Sequence, residues 1–437
     1  MSNQWKFILL FLFLLAFRTA FGLSGNFFAV DELQTYLIGL KWYCTHSWPY
    51  FGPDLIVTET GFQVQIPGAL EGLLVGTPLF FLPIPEAPYL FLNLISLTGI
   101  AYLAWYISKR LPEIPFLFSF VWIALLPWNL NESTWVLNPS YLLLGSVIFF
   151  IGFMEAVPSL ATGFFTLPWA FASMGFGLFW DMQFHFSWIL LPPFVAFALW
   201  SRWRERGFNT LLRGIGFFLA GAIPPAAFLI PTLLKYGWTH VTSGAGMSQP
   251  VNYENIFSFF TILARYLSLA CYEMPRFAGL STADRWDILK QAPLLAPPGL
   301  FLLVVGWIQP FVMLALGWKK NFYHTDAPAV FRMACGTLAL IYISFWFTAK
   351  DPLAHIYYIT IPVIIVFSFY VWSRLALEPR WRVFGQVCLA ASFLFQWGFM
   401  VHMIPKRSLY TNRPLALKAI QDKNYHLLGE RRPGSLY

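Results

Sequence analysis

A succession of long apolar segments constrains this chain more than any other feature. They lie at about 7–23, 68–83, 88–108, 115–129, 140–156, 160–180, 187–200, 211–234, 299–317, 328–347, 355–373 and 382–403. A hydrocarbon core about 30 Å thick takes roughly 20 apolar residues to cross as a helix. Within it, only helices and closed barrels satisfy their own backbone, and continuous runs rather than alternation select helices. The expected fold is an all-α polytopic membrane protein with eleven or twelve transmembrane helices. Composition agrees, at 58% hydrophobic, 20% aromatic and 11% charged, where soluble domains carry about 25% charged residues.

The net charge of +8 is not a nucleic-acid footprint, because the basic residues sit in short loops beside apolar segments. Lys109-Arg110, Arg202 to Arg206, Lys319-Lys320 and Arg374 to Arg382 read as cytoplasmic by the positive-inside rule. The loops at 131–139, 181–186, 236–298 and 350–355 then fall on the opposite side. Residues 68–108 conflict with this. They look like two segments, yet an odd number of crossings must separate residue 31 from Lys109. Either one of them lies along or dips into the membrane, or Lys109-Arg110 is outside.

The expected organisation is one transmembrane unit, 1–403, with extracytoplasmic loops at about 24–67 and 236–298, and a short basic extracytoplasmic tail, 404–437. The first helix reads as an uncleaved anchor, because Arg18 is poor chemistry for a signal core. The four cysteines are too few for a disulfide framework.

Chemistry gathers just after that first helix. Asp31-Glu32 opens a segment in which Leu33, Tyr36, Leu37, Leu40 and Cys44 recur at helical spacing, the pattern of an amphipathic helix lying on the membrane surface. Asp31 stands where an N-cap would. Capping explains an acidic residue there, and so does general-base chemistry. Tyr253 to Cys271 resembles a second surface-lying helix, interrupted by Glu254 and Arg265.

Ionisable groups near helix ends on that same side are few: Asp181 with His185, Lys350, Asp351, His355 and His402. Such groups are expensive at a membrane edge, so each is a functional candidate. Asp181 and His185, four apart, also suit a simple pair on one helical face, and His402 suits an interfacial anchor. There is no Walker-type phosphate loop, no His-Glu-x-x-His helix and no Gly-x-Ser-x-Gly elbow, which argues against an ATP-driven pump, a zincin and an α/β-hydrolase.

The acidic pair after the first helix, the segment PGALEGLLVGTPLFFL, the run LLPWNLNESTWVLNPSYLLL and the late KDPLAHIYYITIPVII together resemble the GT-C membrane glycosyltransferases. The nearest likenesses are the protein O-mannosyltransferases and the lipid A aminoarabinose transferase. The late stretch departs from the family's His-Tyr, which is His355-Ile356-Tyr357 here. The resemblance implies a GT-C fold in a bacterial inner membrane with the active site facing the periplasm. It implies transfer of a sugar from a polyprenyl-phosphate donor to a hydroxyl of a lipid, glycan or protein acceptor, with inversion. Asp31 would be the base, Glu32 its catalytic neighbour, and Lys350, His355, Arg265 and Arg276 the groups that hold the leaving phosphate. Asp181 and His185 would add polarity to the substrate site. A divalent metal at Asp31 and Glu32 stays open. The alternatives are a lipid or polymer transporter or flippase, and a non-catalytic membrane partner in which Asp31-Glu32 is only a cap.

Overall fold

The computed structural model describes residues 3–25, 30–57, 63–241, 251–272, 282–318, 324–348, 351–406 and 408–429. Helices dominate. In chain order they begin with α1 (Asn3–Gly25) and α2 (Val30–Thr45). An antiparallel hairpin follows, β1 (Phe51–Val57) and β2 (Gln63–Pro67), with Phe51 opposite Pro67 and Val57 opposite Gln63. Next come α3 (Leu70–Phe81), α4 (Ala87–Arg110), α5 (Phe116–Ala124), α6 (Pro127–Glu132), α7 (Leu142–Ala156), α8 (Leu167–Asp181) and α9 (Pro192–Arg206). Then come α10 (Phe208–Ala226), α11 (Ile230–Val241), α12 (Tyr253–Ile256), α13 (Phe259–Ser268) and α14 (Thr282–Gln291). The series ends with α15 (Ala296–Trp318), α16 (Ala327–Phe345), α17 (Ile361–Leu375), α18 (Pro379–Met403) and α19 (Ser408–Gln421).

Seven helical stretches among the described residues are long and apolar enough to cross a membrane: Gln4–Ser24, Ala87–Arg110, Asn138–Ala156, Pro293–Trp318, Ala327–Phe345, Ala354–Ser373 and Pro379–Met403. The pair α10 and α11, bent by 76°, makes an eighth if counted as one span. The expectation of eleven or twelve full-length helices is corrected on this point. Proline is one reason. Leu126, before Pro127, is extended at ψ 130 and separates α5 from α6, as the residue before proline prefers. Prolines also open α8 and α9, each 15 residues or about 22 Å long. Within 68–108, helix α3 has 12 residues, and α4 alone is long and apolar enough to cross a membrane.

Glycine lets the short helices pack backbone to backbone. A Cβ on Gly175 of α8 would lie 1.9 Å from the Phe218 carbonyl of α10, and one on Gly221 would lie 1.9 Å from that of Ala172. On the other side of α8, a Cβ on Gly177 would lie 2.5 Å from the Gly145 carbonyl of α7. Small residues of this kind allow the van der Waals packing on which helix association in lipid depends.

The break after α5 leaves carbonyls without helical partners, and other elements satisfy them. Arg18 of α1, fully buried, donates to Ala124 O at 2.7 Å and to Ser133 Oγ at 2.6 Å. Asn129 donates to Ile123 O at 2.9 Å, Gln396 to Leu125 O at 2.9 Å and the Tyr272 hydroxyl to Trp122 O at 3.1 Å. Backbone away from water must be paired in this way.

In the later loop, helix α13 packs against α15 and α16, with Ile262, Tyr266 and Leu267 buried and Phe260 exposed. At the end of the descent, Tyr272 N–H donates to Gln309 Oε1 at 3.2 Å and Gln309 Nε2 to Ala270 O at 3.2 Å, so one buried glutamine serves the non-helical backbone. In the tail, helix α19 contacts α1, its Ala416, Ala419 and Ile420 are buried, and Arg413 pairs with Glu86.

Candidate functional site

Polar groups collect at two opposite poles of the bundle. At the basic pole, Arg110 donates to Asp326 at 2.7 Å, to the Tyr370 hydroxyl at 2.9 Å, to the Tyr106 hydroxyl at 2.8 Å and to Leu160 O at 2.8 Å. Tyr106 donates in turn to Glu155 at 2.6 Å. Arg202 of α9 reaches Ala156 O at the end of α7. The ends of α4, α7, α9 and α17 and the start of α16 therefore meet where the basic clusters lie.

The acidic pole is built around α2. A Cβ on Gly76 of α3 would lie 2.3 Å from the Gly39 carbonyl, so the two helices touch backbone to backbone and α2 is held rigidly. Helix α2 begins at Val30, and Asp31 and Glu32 stand inside its first turn, not before it as an N-cap. An anion in that turn still complements the helix dipole. Asp31 is exposed and Glu32 is buried. Part of its expected polar face is covered: Gln34 and Thr35 are buried, and the Thr35 hydroxyl donates to Glu71 at 3.5 Å, while Thr45 is exposed.

Beneath Asp31 lies a layer of buried polar side chains. Glu32 interacts electrostatically with Tyr89, and Glu71 with Tyr141. Trp180 Nε1 donates to Tyr141 O at 3.0 Å, and Phe184 stacks on the Tyr141 ring at 5.4 Å. Asp181 closes the layer at the end of α8. It is fully buried, and neither carboxylate oxygen has a hydrogen-bond partner among the described residues. Gly145 makes room for it, since a Cβ there would lie 2.3 Å from Oδ1. Burial alone pushes this carboxyl well above the usual carboxylate range, because desolvation disfavours the charged form.

The expected pairing of Asp181 with His185 is not made. Helix α8 ends at Asp181 and His185 is extended at φ −156, ψ 142, so the two no longer share a helical face. The imidazole instead caps the following turn, Phe186–Leu190, accepting from Ser187 N–H at 3.1 Å. That turn packs against Ala354–Thr360, which carries half-buried His355 and also adjoins α13, the helix of Arg265. His185, His355 and Arg265 thus lie on neighbouring elements. Lys350 and Arg276 lie outside the described residues.

Glu71, Tyr89, Tyr141 and Glu132 were not singled out from sequence. Glu71 carried a signal, as a lone carboxylate in the apolar run LEGLLVGTPLFF, where ionisable groups are costly. Glu132, at the end of α6, accepts from Asn131 at 2.7 Å. Burial raises its carboxyl to about 7, with the Asn131 bond pulling the other way. Among the described residues, no three His, Cys, Asp or Glu side chains gather in a metal-binding arrangement, so Asp31 and Glu32 lack a third ligand there. The arrangement offers an accessible carboxylate on a rigid helix turn, backed by buried acids and phenols, a geometry suited to taking a proton from a polar substrate at the bundle's edge. No model of a known protein family matches the chain, and no curated protein matches it.

Proposed function

We propose that this integral membrane protein is a glycosyltransferase of GT-C type that moves a sugar from a polyprenyl-phosphate donor to an acceptor hydroxyl, with inversion and with Asp31 as general base. One observation carries the reading: exposed Asp31 and buried Glu32 are adjacent in the first turn of a helix fixed against α3. The leaving group is a phosphate and needs no general acid, so a single exposed base suffices. Glu32 positions the site from below, against Tyr89. Cationic groups to hold the departing phosphate would come from Arg265, with His355 on the adjoining turn, and from Lys350 and Arg276.

The test is Asp31→Asn in purified protein supplied with a lipid-linked sugar donor. Asparagine keeps the shape and polarity of the side chain but cannot take the proton. Transfer should fall by about 10²–10⁴ while unfolding in mixed micelles stays unchanged. Near-normal transfer would end the base assignment.

The break between α5 and α6 favours a second reading, a lipid transporter or flippase, because broken helices mark many transport sites. Against it, the carbonyls freed at the break are occupied by Arg18, Asn129, Gln396 and Tyr272. Movement of a fluorescent polyprenyl phosphate across proteoliposomes without sugar transfer would favour transport.

A further inference from the structure

A cavity of about 580 Å³ opens between α5, α15, α17 and α18, with Phe118, Val305, Phe369 and Phe384 in its walls and Trp381 and Arg382 at one end. The volume lies in the range of roughly 300–1,000 Å³ of pockets that take a discrete small molecule. Three of the four helices belong to spans long enough to cross a membrane, so the apolar walls stand at hydrocarbon depth. The charged end belongs to the basic pole. Glu113 there is engaged by His324 at 2.7 Å, next to the Arg110–Asp326–Tyr370 network: His324 packs edge-on against the Tyr370 ring at 5.8 Å.

We propose that this cavity is a binding site for an anionic diacyl phospholipid of the surrounding membrane. An acyl chain fills the cleft between α15 and α17, and the phosphate lies at Arg382. Three features select that occupant. The walls are apolar and their helices lie within the membrane, so an alkyl chain and not water is the complementary filling. The exposed Arg382 guanidinium is held against the end of α17 by its bond from Nε to Ala376 O, and Trp381 beside it is the kind of ring that settles at headgroup level. Glu113 is engaged by His324, so Arg382 is the charged group that this end offers to a ligand. Basic pockets between membrane helices recognise anionic headgroups by this chemistry. A polyprenyl phosphate bound for Asp31 carries its charge to the other pole and leaves this one empty. The site is therefore separate from the proposed transfer chemistry, and the inference stands or falls without it.

Native mass spectrometry of the full chain released from nanodiscs of equal phosphatidylglycerol and phosphatidylethanolamine reads the site directly. The wild type should retain phosphatidylglycerol over phosphatidylethanolamine by roughly fivefold, the preference expected of one basic residue near a membrane surface. Arg382→Gln should bring the two lipids to parity, and Val305→Trp, which fills the cleft, should remove retained lipid of both kinds. Equal retention of the two lipids by the wild type would overturn the proposal. So would unchanged phosphatidylglycerol retention in both variants, or displacement of that lipid by equimolar undecaprenyl phosphate. Arg382 is exposed, so its substitution reads the site even if the cleft-filling variant does not fold.

Discussion

The two poles of the bundle bury ionisable groups in opposite ways. At the basic pole the buried arginine Arg110 meets partners of matching geometry. Arg110 alone satisfies a carboxylate, two phenols and a backbone carbonyl. At the acidic pole, carboxylates are buried among tyrosines and one of them, Asp181, accepts no hydrogen bond from the described residues. A saturated network is what a joint between helices needs, since a buried charge left alone costs more than it returns. Burial raises the Asp181 carboxyl well above the usual carboxylate range, and perturbed groups of that kind cluster at functional sites.

If the basic pole is scaffold, removing its central arginine should cost stability and spare activity. Arg110→Met should cost about 3–5 kcal/mol, because Asp326 and the Leu160 carbonyl lose their buried donor. Reversible unfolding in mixed micelles measures this. Sugar transfer per folded molecule should stay near the wild-type value, the reverse of the pattern expected for Asp31→Asn. A loss of stability under about 1 kcal/mol would show that the network is not structural.

The second test uses pH. Glu132 has its carboxyl raised to about 7 by burial, from an ordinary 4.5 when unfolded. Between those values the folded chain keeps a proton that the unfolded chain has released. Stability therefore falls as pH rises from about 4.5 to about 7 and is level above. The full span is on the order of 3 kcal/mol. Glu132→Gln should remove that part of the slope, so the variant gains on the wild type as pH rises. Asp181→Asn carries the same sign. Parallel pH profiles for wild type and Glu132→Gln would mean that Glu132 is ionised in the folded chain.

How far the sequence reached follows from what each signal measures. Apolar run length reports that a segment is buried in lipid or protein but not which, so α8 and α9 read as spans although each is 15 residues long. Amphipathic spacing reports one apolar face but not what covers it: α13 packs against α15 and α16, and α2 packs against α3, with Thr35 buried. Basic clusters report position along the bundle: Arg110 and Arg202 both bond carbonyls just past or at the end of α7, Leu160 and Ala156. Asp31 and Glu32 were legible as rare charges. Tyr89 and Tyr141 were not, since an aromatic residue in an apolar run is the commonest packing residue of a membrane helix.

The smallest expected effect compares two pairs of the same chemistry. Arg413 of α19 meets Glu86 at the rim of the acidic pole, as Arg110 meets Asp326 at the basic one, but its side chain is 40% exposed where that of Arg110 is fully buried. An exposed arginine–carboxylate pair gains little over its hydrated components, typically about 0–1 kcal/mol. Helix α19 is instead held by Ala416, Ala419 and Ile420, all buried. Arg413→Ala should therefore lower stability by about 0.5 kcal/mol and leave protease resistance of the tail intact. Ile420→Ala, which removes buried methyl groups, should cost about 2 kcal/mol or more and release the tail to protease. Cleavage after Arg413→Ala at the rate seen for Ile420→Ala would reverse the ranking. The rim pair would then behave as the buried one does, and exposure would not be what distinguishes the two poles.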